Sequence, residues 1–125
     1  CFFLAEGWRD YLRAPIEEVA AFQYEAMNRA ILGARASVPA DQWVEVFYED
    51  LVRDPVAGYQ KLYADCGLAF TPEVRQHCEQ VLSKPYDVFG EIELDKWKKG
   101  RNRERVERVL GRLAVVACDM GYPQR

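Results

Sequence analysis

Between residues 16 and 31 the side chains Ile16, Val19, Ala20, Gln23, Met27, Ala30 and Ile31 keep close to the 3, 4, 3, 4 spacing of one helical face. That spacing predicts a helix with this stripe buried. Pro15 stands where a first helical position would be, Glu17 and Glu18 occupy the favourable first turn, and Gly33 offers a left-handed stop. Ahead of it, Phe3 to Arg13 reads as a short helix. The segment Trp43-Val44-Glu45-Val46-Phe47-Tyr48 has another character: short, β-branched and aromatic, it reads as a strand buried on both faces of a parallel sheet. No second convincing strand accompanies it. A lone buried strand leaves its backbone donors and acceptors unpaired, so its partners are expected upstream of Cys1.

Start and stop signals divide the rest. Asp54 is a good N-cap with Pro55 behind it, and Tyr59, Leu62, Tyr63 and Cys66 give a stripe that Gly67 ends. Thr71-Pro72 repeats the start, and Val74, Cys78, Val81 and Leu82 mark a helix up to Pro85. A loop with little pattern runs from Tyr86 to Leu94. The last helix begins at the cap Asn102 and continues through Val106, Val109, Leu110, Leu113, Val116 and Ala117 to Gly121.

With 125 residues, half of them apolar and 30% charged, the chain is sized for one soluble unit with a real core, and residues 1–125 are read as a single unit. Its longest apolar run, Leu113 to Cys118, is far short of the roughly 20 residues of a membrane helix. The opening run Cys1-Phe2-Phe3-Leu4-Ala5 has no basic leader and reads as an internal stretch of a longer chain. Cys1, Cys66, Cys78 and Cys118 show no CxxC spacing; three of them sit on apolar helix faces, which implies buried thiols in a reducing, cytoplasmic setting.

The net charge of −3 hides an asymmetry. Lys96 to Arg112 holds eight basic and two acidic residues, leaving 9 basic and 18 acidic residues elsewhere. One reading is a solvated helix face, the other a local site for phosphate or sulfate groups. Nucleic acid is not expected as a partner of so acidic a remainder. His77 has no carboxylate or second histidine at metal spacing, and no metal is expected. Glu49 and Asp50 read as caps or dipole partners rather than an acid and base pair. Arg35 and Arg53 could meet phosphate, but isolated arginines usually pair with acids. Tyr48, at the carboxyl end of the strand, offers a flat edge for a purine.

Trp43-Val44-Glu45-Val46-Phe47-Tyr48-Glu49-Asp50-Leu51-Val52-Arg53-Asp54-Pro55 resembles the Tyr-Glu-Asp-Leu, two residues, Asp-Pro stretch of the sulfotransferases that use 3′-phosphoadenosine 5′-phosphosulfate (PAPS). Tyr63 to Phe70 is similar to the family's helix ending in Gly-Leu and an aromatic, and Lys96-Trp97-Lys98 with the following helix and Met120-Gly121-Tyr122 to its closing segment. The resemblance covers Gln42 to Tyr122. It implies the C-terminal half of a P-loop-like, three-layer α/β sulfotransferase fold, mostly α with one strand in this chain. It further implies PAPS as cofactor, a small-molecule or glycan acceptor, and transfer of a sulfuryl group to a hydroxyl or amine.

The family's phosphate loop, its Arg and Ser for the 3′-phosphate and its general base all precede the matching region. No catalytic residue is therefore assigned, and the chain alone is expected to be inactive. The resemblance carries over Tyr48, against the adenine, and the segment of Trp97, Lys99, Gly100 and Arg101, which would close over the 3′-phosphate. In cytosolic relatives Arg-Lys-Gly precedes the Trp-Lys pair; here Lys99-Gly100 follows it. Two other readings stand beside this one: a small helical protein-interaction module with a basic C-terminal helix, and another phosphoryl or nucleotide enzyme on a similar fold.

Overall fold

The computed structural model describes residues 4–83 and 91–123. They form five α-helices: α1 Ile16–Arg35, α2 Tyr48–Arg53, α3 Pro55–Asp65, α4 Pro72–Gln80 and α5 Arg103–Asp119. Short 3-10 turns occupy Trp8–Tyr11, Ala40–Gln42 and Lys96–Lys99. The chain divides into two compact units, one of Cys1–Ala40 with Trp97–Arg125 and one of Asp41–Lys96. Expectations for Cys1, for Pro85 and for residues 86–90 lie outside the described residues.

In the first unit α1 packs against α5. Ala21 on α1 and Val109 and Val116 on α5 are buried, with Ala5 beneath the N-terminal turn. Val109 and Val116 lie seven residues apart, so both fall on one face two turns apart. The ring of Tyr11 stacks on Phe22 with centroids 4.2 Å apart. The helix expected from Phe3 to Arg13 is instead the single turn Trp8–Tyr11, because Gly7 takes a left-handed conformation (φ 82°) that interrupts the run.

Helix α1 also departs from its expected boundaries and face. Pro15 stands at the cap rather than in the first turn, and the helix continues through Gly33 to Arg35. A glycine stops a helix only where the chain turns left-handed, and Gly33 does not. The face turned to α5 carries Ala21 and the glutamates at 17, 18 and 25, while Ile16, Met27 and Ile31 of the expected buried stripe remain 64%, 45% and 41% exposed. The face of α1 that meets α5 therefore combines a small buried alanine with these charge pairs.

In the second unit α2 packs on α3 and α3 on α4. The side chain of Asp54 accepts from the Ala57 amide at 3.0 Å and that of Thr71 from the Val74 amide at 3.4 Å, each with proline at the first helical position. Both caps satisfy otherwise orphaned amides. Gly58 lets α3 approach α2 closely, since a Cβ there would lie 2.9 Å from Leu51 Cδ2 and 3.4 Å from Leu51 Cα. Helix α4 ends at Gln80, leaving out Val81 and Leu82 of the helix expected up to Pro85, and its one buried residue is Cys78. Tyr63 meets Phe70 edge-on at 5.6 Å.

Helices α3 and α5 stop identically. Gly67 (φ 67°) donates to the Ala64 carbonyl at 3.0 Å and Leu68 to that of Tyr63 at 2.8 Å. Gly121 (φ 88°) donates to Cys118 at 2.9 Å and Tyr122 to Ala117 at 2.9 Å. Each is a Schellman turn, which needs the left-handed glycine.

The expected strand is absent: among the described residues there is none, and Trp43–Phe47 runs without sheet pairing into α2. Phe47 keeps an extended backbone (φ −92°, ψ 129°). Extended residues become a strand only when a neighbour pairs with them, and among the described residues no second extended segment does so. Val44, Val46 and Tyr48, alternate positions of this segment, are 38%, 48% and 54% exposed. Of the thiols expected to be buried, Cys78 is, whereas Cys66 and Cys118 are exposed.

Candidate functional site

Tyr48 belongs to the Asp41–Lys96 unit, where it is the first residue of α2 rather than the last of a strand. The residue is more than half exposed. The amides of Asp50 and Leu51 bond back to the Phe47 carbonyl at 3.1 and 3.4 Å, and this turn fixes where Tyr48 departs from the chain. Asp50 carries Arg53 at 2.9 Å. Asp50 thus serves as a local ion partner, and Arg53 is paired as isolated arginines usually are. The Trp43 indole donates to the Glu45 carboxylate at 3.1 Å.

Trp97, Lys99, Gly100 and Arg101 lie together in the other unit, in the turn that leads into α5. Trp97 is half-buried, whereas Lys98, Lys99, Gly100 and Arg101 are exposed. The Gly100 amide donates to the Trp97 carbonyl at 3.2 Å and the Arg103 amide to the Gly100 carbonyl at 3.1 Å. The turn and the helix therefore form one hydrogen-bonded piece. Lys98 Nζ stands 5.7 Å from the centroid of the Trp97 ring. The flanking Lys96 ammonium donates to the Glu91 carbonyl at 2.9 Å.

Much of the basic run is occupied within its own unit. Arg105 holds Glu17 at 3.1 Å, Arg108 faces the same carboxylate at 3.7 Å, and Arg112 reaches Glu18 and Glu25 at 3.2 Å each. Arg112 also donates to the Tyr11 hydroxyl at 2.8 Å, and Arg103 pairs with Glu107 at 2.7 Å along its own helix. The Glu25 carboxyl is held below the ordinary glutamate range, first by hydrogen bonds from Arg29 and then from Arg112. Ahead of these pairs, Lys98, Lys99 and Arg101 are exposed.

Sequence reasoning missed this clasp between α1 and α5. The signal was present as acids at 17, 18 and 25 and arginines at 105, 108 and 112, each set at helical spacing and opposite in sign. His77 is exposed on α4, and among the described residues no group of three or more metal-ligating side chains comes together. Among them, too, no helix is long and apolar enough to cross a membrane.

Residues 1–72 match the model of the sulfotransferase family, more than half of the chain and including Tyr48 with its Glu-Asp-Leu and Asp-Pro neighbours. The chain belongs to the sulfotransferase family. Trp97, Lys99, Gly100 and Arg101 lie beyond the matched span. No curated protein and no solved structure matches the chain.

Proposed function

We propose that this chain is the C-terminal part of a PAPS-dependent sulfotransferase, acting in the cytoplasm on a hydroxyl or amine acceptor. The carrying observation is the family match over residues 1–72, which contains the Tyr48 to Pro55 motif. In this reading residues 43–47 take their place as a strand of a P-loop-like sheet whose other strands come from elsewhere in the protein. The exposed apolar side chains Val44 and Val46 support it, since the faces of a parallel sheet are ordinarily covered by packed helices.

The residues suit the nucleotide chemically. Tyr48 offers an exposed ring for the adenine, while Lys99 and Arg101 place exposed cations around Gly100, whose bare backbone allows close approach by a phosphate. When bound, PAPS supplies the sulfuryl group that the acceptor takes. The chain's own task is to bind and orient: Tyr48 sets the plane of the base, and Lys99 and Arg101 hold the 3′-phosphate. Orientation of this kind carries a large share of the barrier lowering in group transfer. The reading as an interaction module with a basic helix is weakened by the clasp, because Arg105, Arg108 and Arg112 already hold α1.

Calorimetry on the protein at its natural length tests this. Lys99→Ala or Arg101→Ala should weaken adenosine 3′,5′-bisphosphate binding about 10- to 150-fold, the worth of a partly desolvated charged hydrogen bond. Binding of adenosine 5′-monophosphate should hardly change. Equal losses for both nucleotides, or none for either, would remove residues 97–101 from the site.

A further inference from the structure

We propose that Glu17 is a positioning residue for the loop from Trp97 to Arg101, a role that rests on assigning that loop to the 3′-phosphate of the cofactor. The Glu17 side chain is only 9% exposed, although it is charged and belongs to a helix with an open apolar face. Its Oε2 accepts a hydrogen bond from Arg105 Nε at 3.1 Å, and a terminal nitrogen of the same guanidinium lies 3.1 Å from that oxygen, a charge-assisted contact at short range. Its other oxygen lies 3.7 Å from Arg108. One carboxylate thus grips α5 over its first two turns.

The grip extends to the loop through the backbone. Arg105 is the third residue of α5, the Arg103 amide is bonded to the Gly100 carbonyl, and the Gly100 amide to that of Trp97. Trp97 to Arg101 is therefore tied to the turn of helix that Glu17 holds. Glu17 also offsets repulsion among the clustered cations, which would otherwise drive the loop and the start of α5 apart. Neither Glu18 nor Glu25 can substitute, because both act on Arg112, further along α5. A displacement of about 1 Å at a binding group is enough to lose much of its effect.

Glu17→Gln removes the charge and keeps the shape. Two measurements on the natural-length protein read its effect: 15N relaxation of the Trp97 indole, with Trp8 and Trp43 as internal references, and nucleotide affinity. The Trp97 indole should become more mobile while the Trp43 indole stays as it was. Affinity for adenosine 3′,5′-bisphosphate should fall roughly 2- to 30-fold, the range for residues acting through a neighbour. Affinity for the 5′-monophosphate should not move, and Glu17→Asp should recover part of the loss.

An unchanged Trp97 indole overturns the inference, and so does equal weakening of both nucleotides, which marks a merely structural ion pair. Should Glu17→Gln fail to fold, Glu17→Asp decides: a selective loss for the bisphosphate supports the role, and unaltered selectivity overturns it. Wild-type protein that does not prefer the bisphosphate counts against the cofactor assignment, whereas the indole measurement still tests whether Glu17 holds the loop.

Discussion

The α1–α5 pair and the α2–α3–α4 run are held by different means. The first joins residues 87 to 101 positions apart in sequence, Arg105 to Glu17 and Arg112 to Glu18, Glu25 and Tyr11, through charged hydrogen bonds. The second relies on bonds between residues three apart, Asp54 to Ala57 and Thr71 to Val74, on one close glycine contact and on half-buried aromatics. Long-range ion pairs fix where two helices lie but are screened by salt. Local caps fix where a helix begins and are nearly indifferent to salt, so the two units should respond differently to the same perturbation.

The sharpest way to break the second unit is to close the gap at Gly58. A valine there sets its branched Cβ 2.9 Å from Leu51 Cδ2 and close to backbone, and should destabilise by about 1–3 kcal/mol, in the range of overpacked cores. A thermal melt of Gly58→Val reads this directly. Unchanged stability would mean that α2 and α3 can separate without penalty.

Next in size are two substitutions read as a pair, with and without 1 M salt. Arg112→Ala removes bonds to Glu18, Glu25 and Tyr11 from a side chain that is 32% exposed, and should cost about 1–2 kcal/mol once solvent screening is allowed for. Much of that difference should disappear in salt. Asp54→Ala should cost about 1 kcal/mol, as lost caps do, and keep its cost in salt. Denaturant midpoints at both ionic strengths decide; equal salt responses would erase the distinction between the units.

The same division explains what was readable from sequence. Asp54-Pro55, Thr71-Pro72, Gly67 and Gly121 each act within one turn of their own position, and each lies where its signal placed it. Residues 43–48 carry a strand's composition, but a strand is a relation between segments, and without a partner Tyr48 begins a helix. The apolar stripe of α1 lies on a helix as its spacing predicts, but Ile16, Met27 and Ile31 stay exposed, and it is another face, with Glu17, Glu18 and Glu25, that meets arginines nearly ninety residues away. The candidate site shows the same split. Tyr48 was legible from the motif around it, whereas the role of α1 toward the loop before α5 depends on which helix lies against which.

The smallest expected effect compares two acids under pH and salt. Glu25 is held below the ordinary glutamate range by hydrogen bonds from Arg29 and Arg112, while Glu73 is lowered first by the Thr71 hydroxyl and then by a backbone bond at the start of α4. Both pKa values are depressed on folding, so each stabilises fully above the unfolded value of about 4.3 and loses that contribution as pH falls through the folded value. NMR titration should find both below the unfolded value at low salt. Raising the salt should move Glu25 back toward the ordinary range, because its donors are cations, and leave Glu73 nearly still, because a hydroxyl and an amide carry no net charge to screen. Arg29→Ala should raise Glu25 more than Arg112→Ala does, in the order of their hydrogen-bonding effects. If Glu25 ignored salt and both arginine substitutions, its carboxylate would be a solvated bystander, and the ionic account of the helix pair would lose one of the two acids that Arg112 holds.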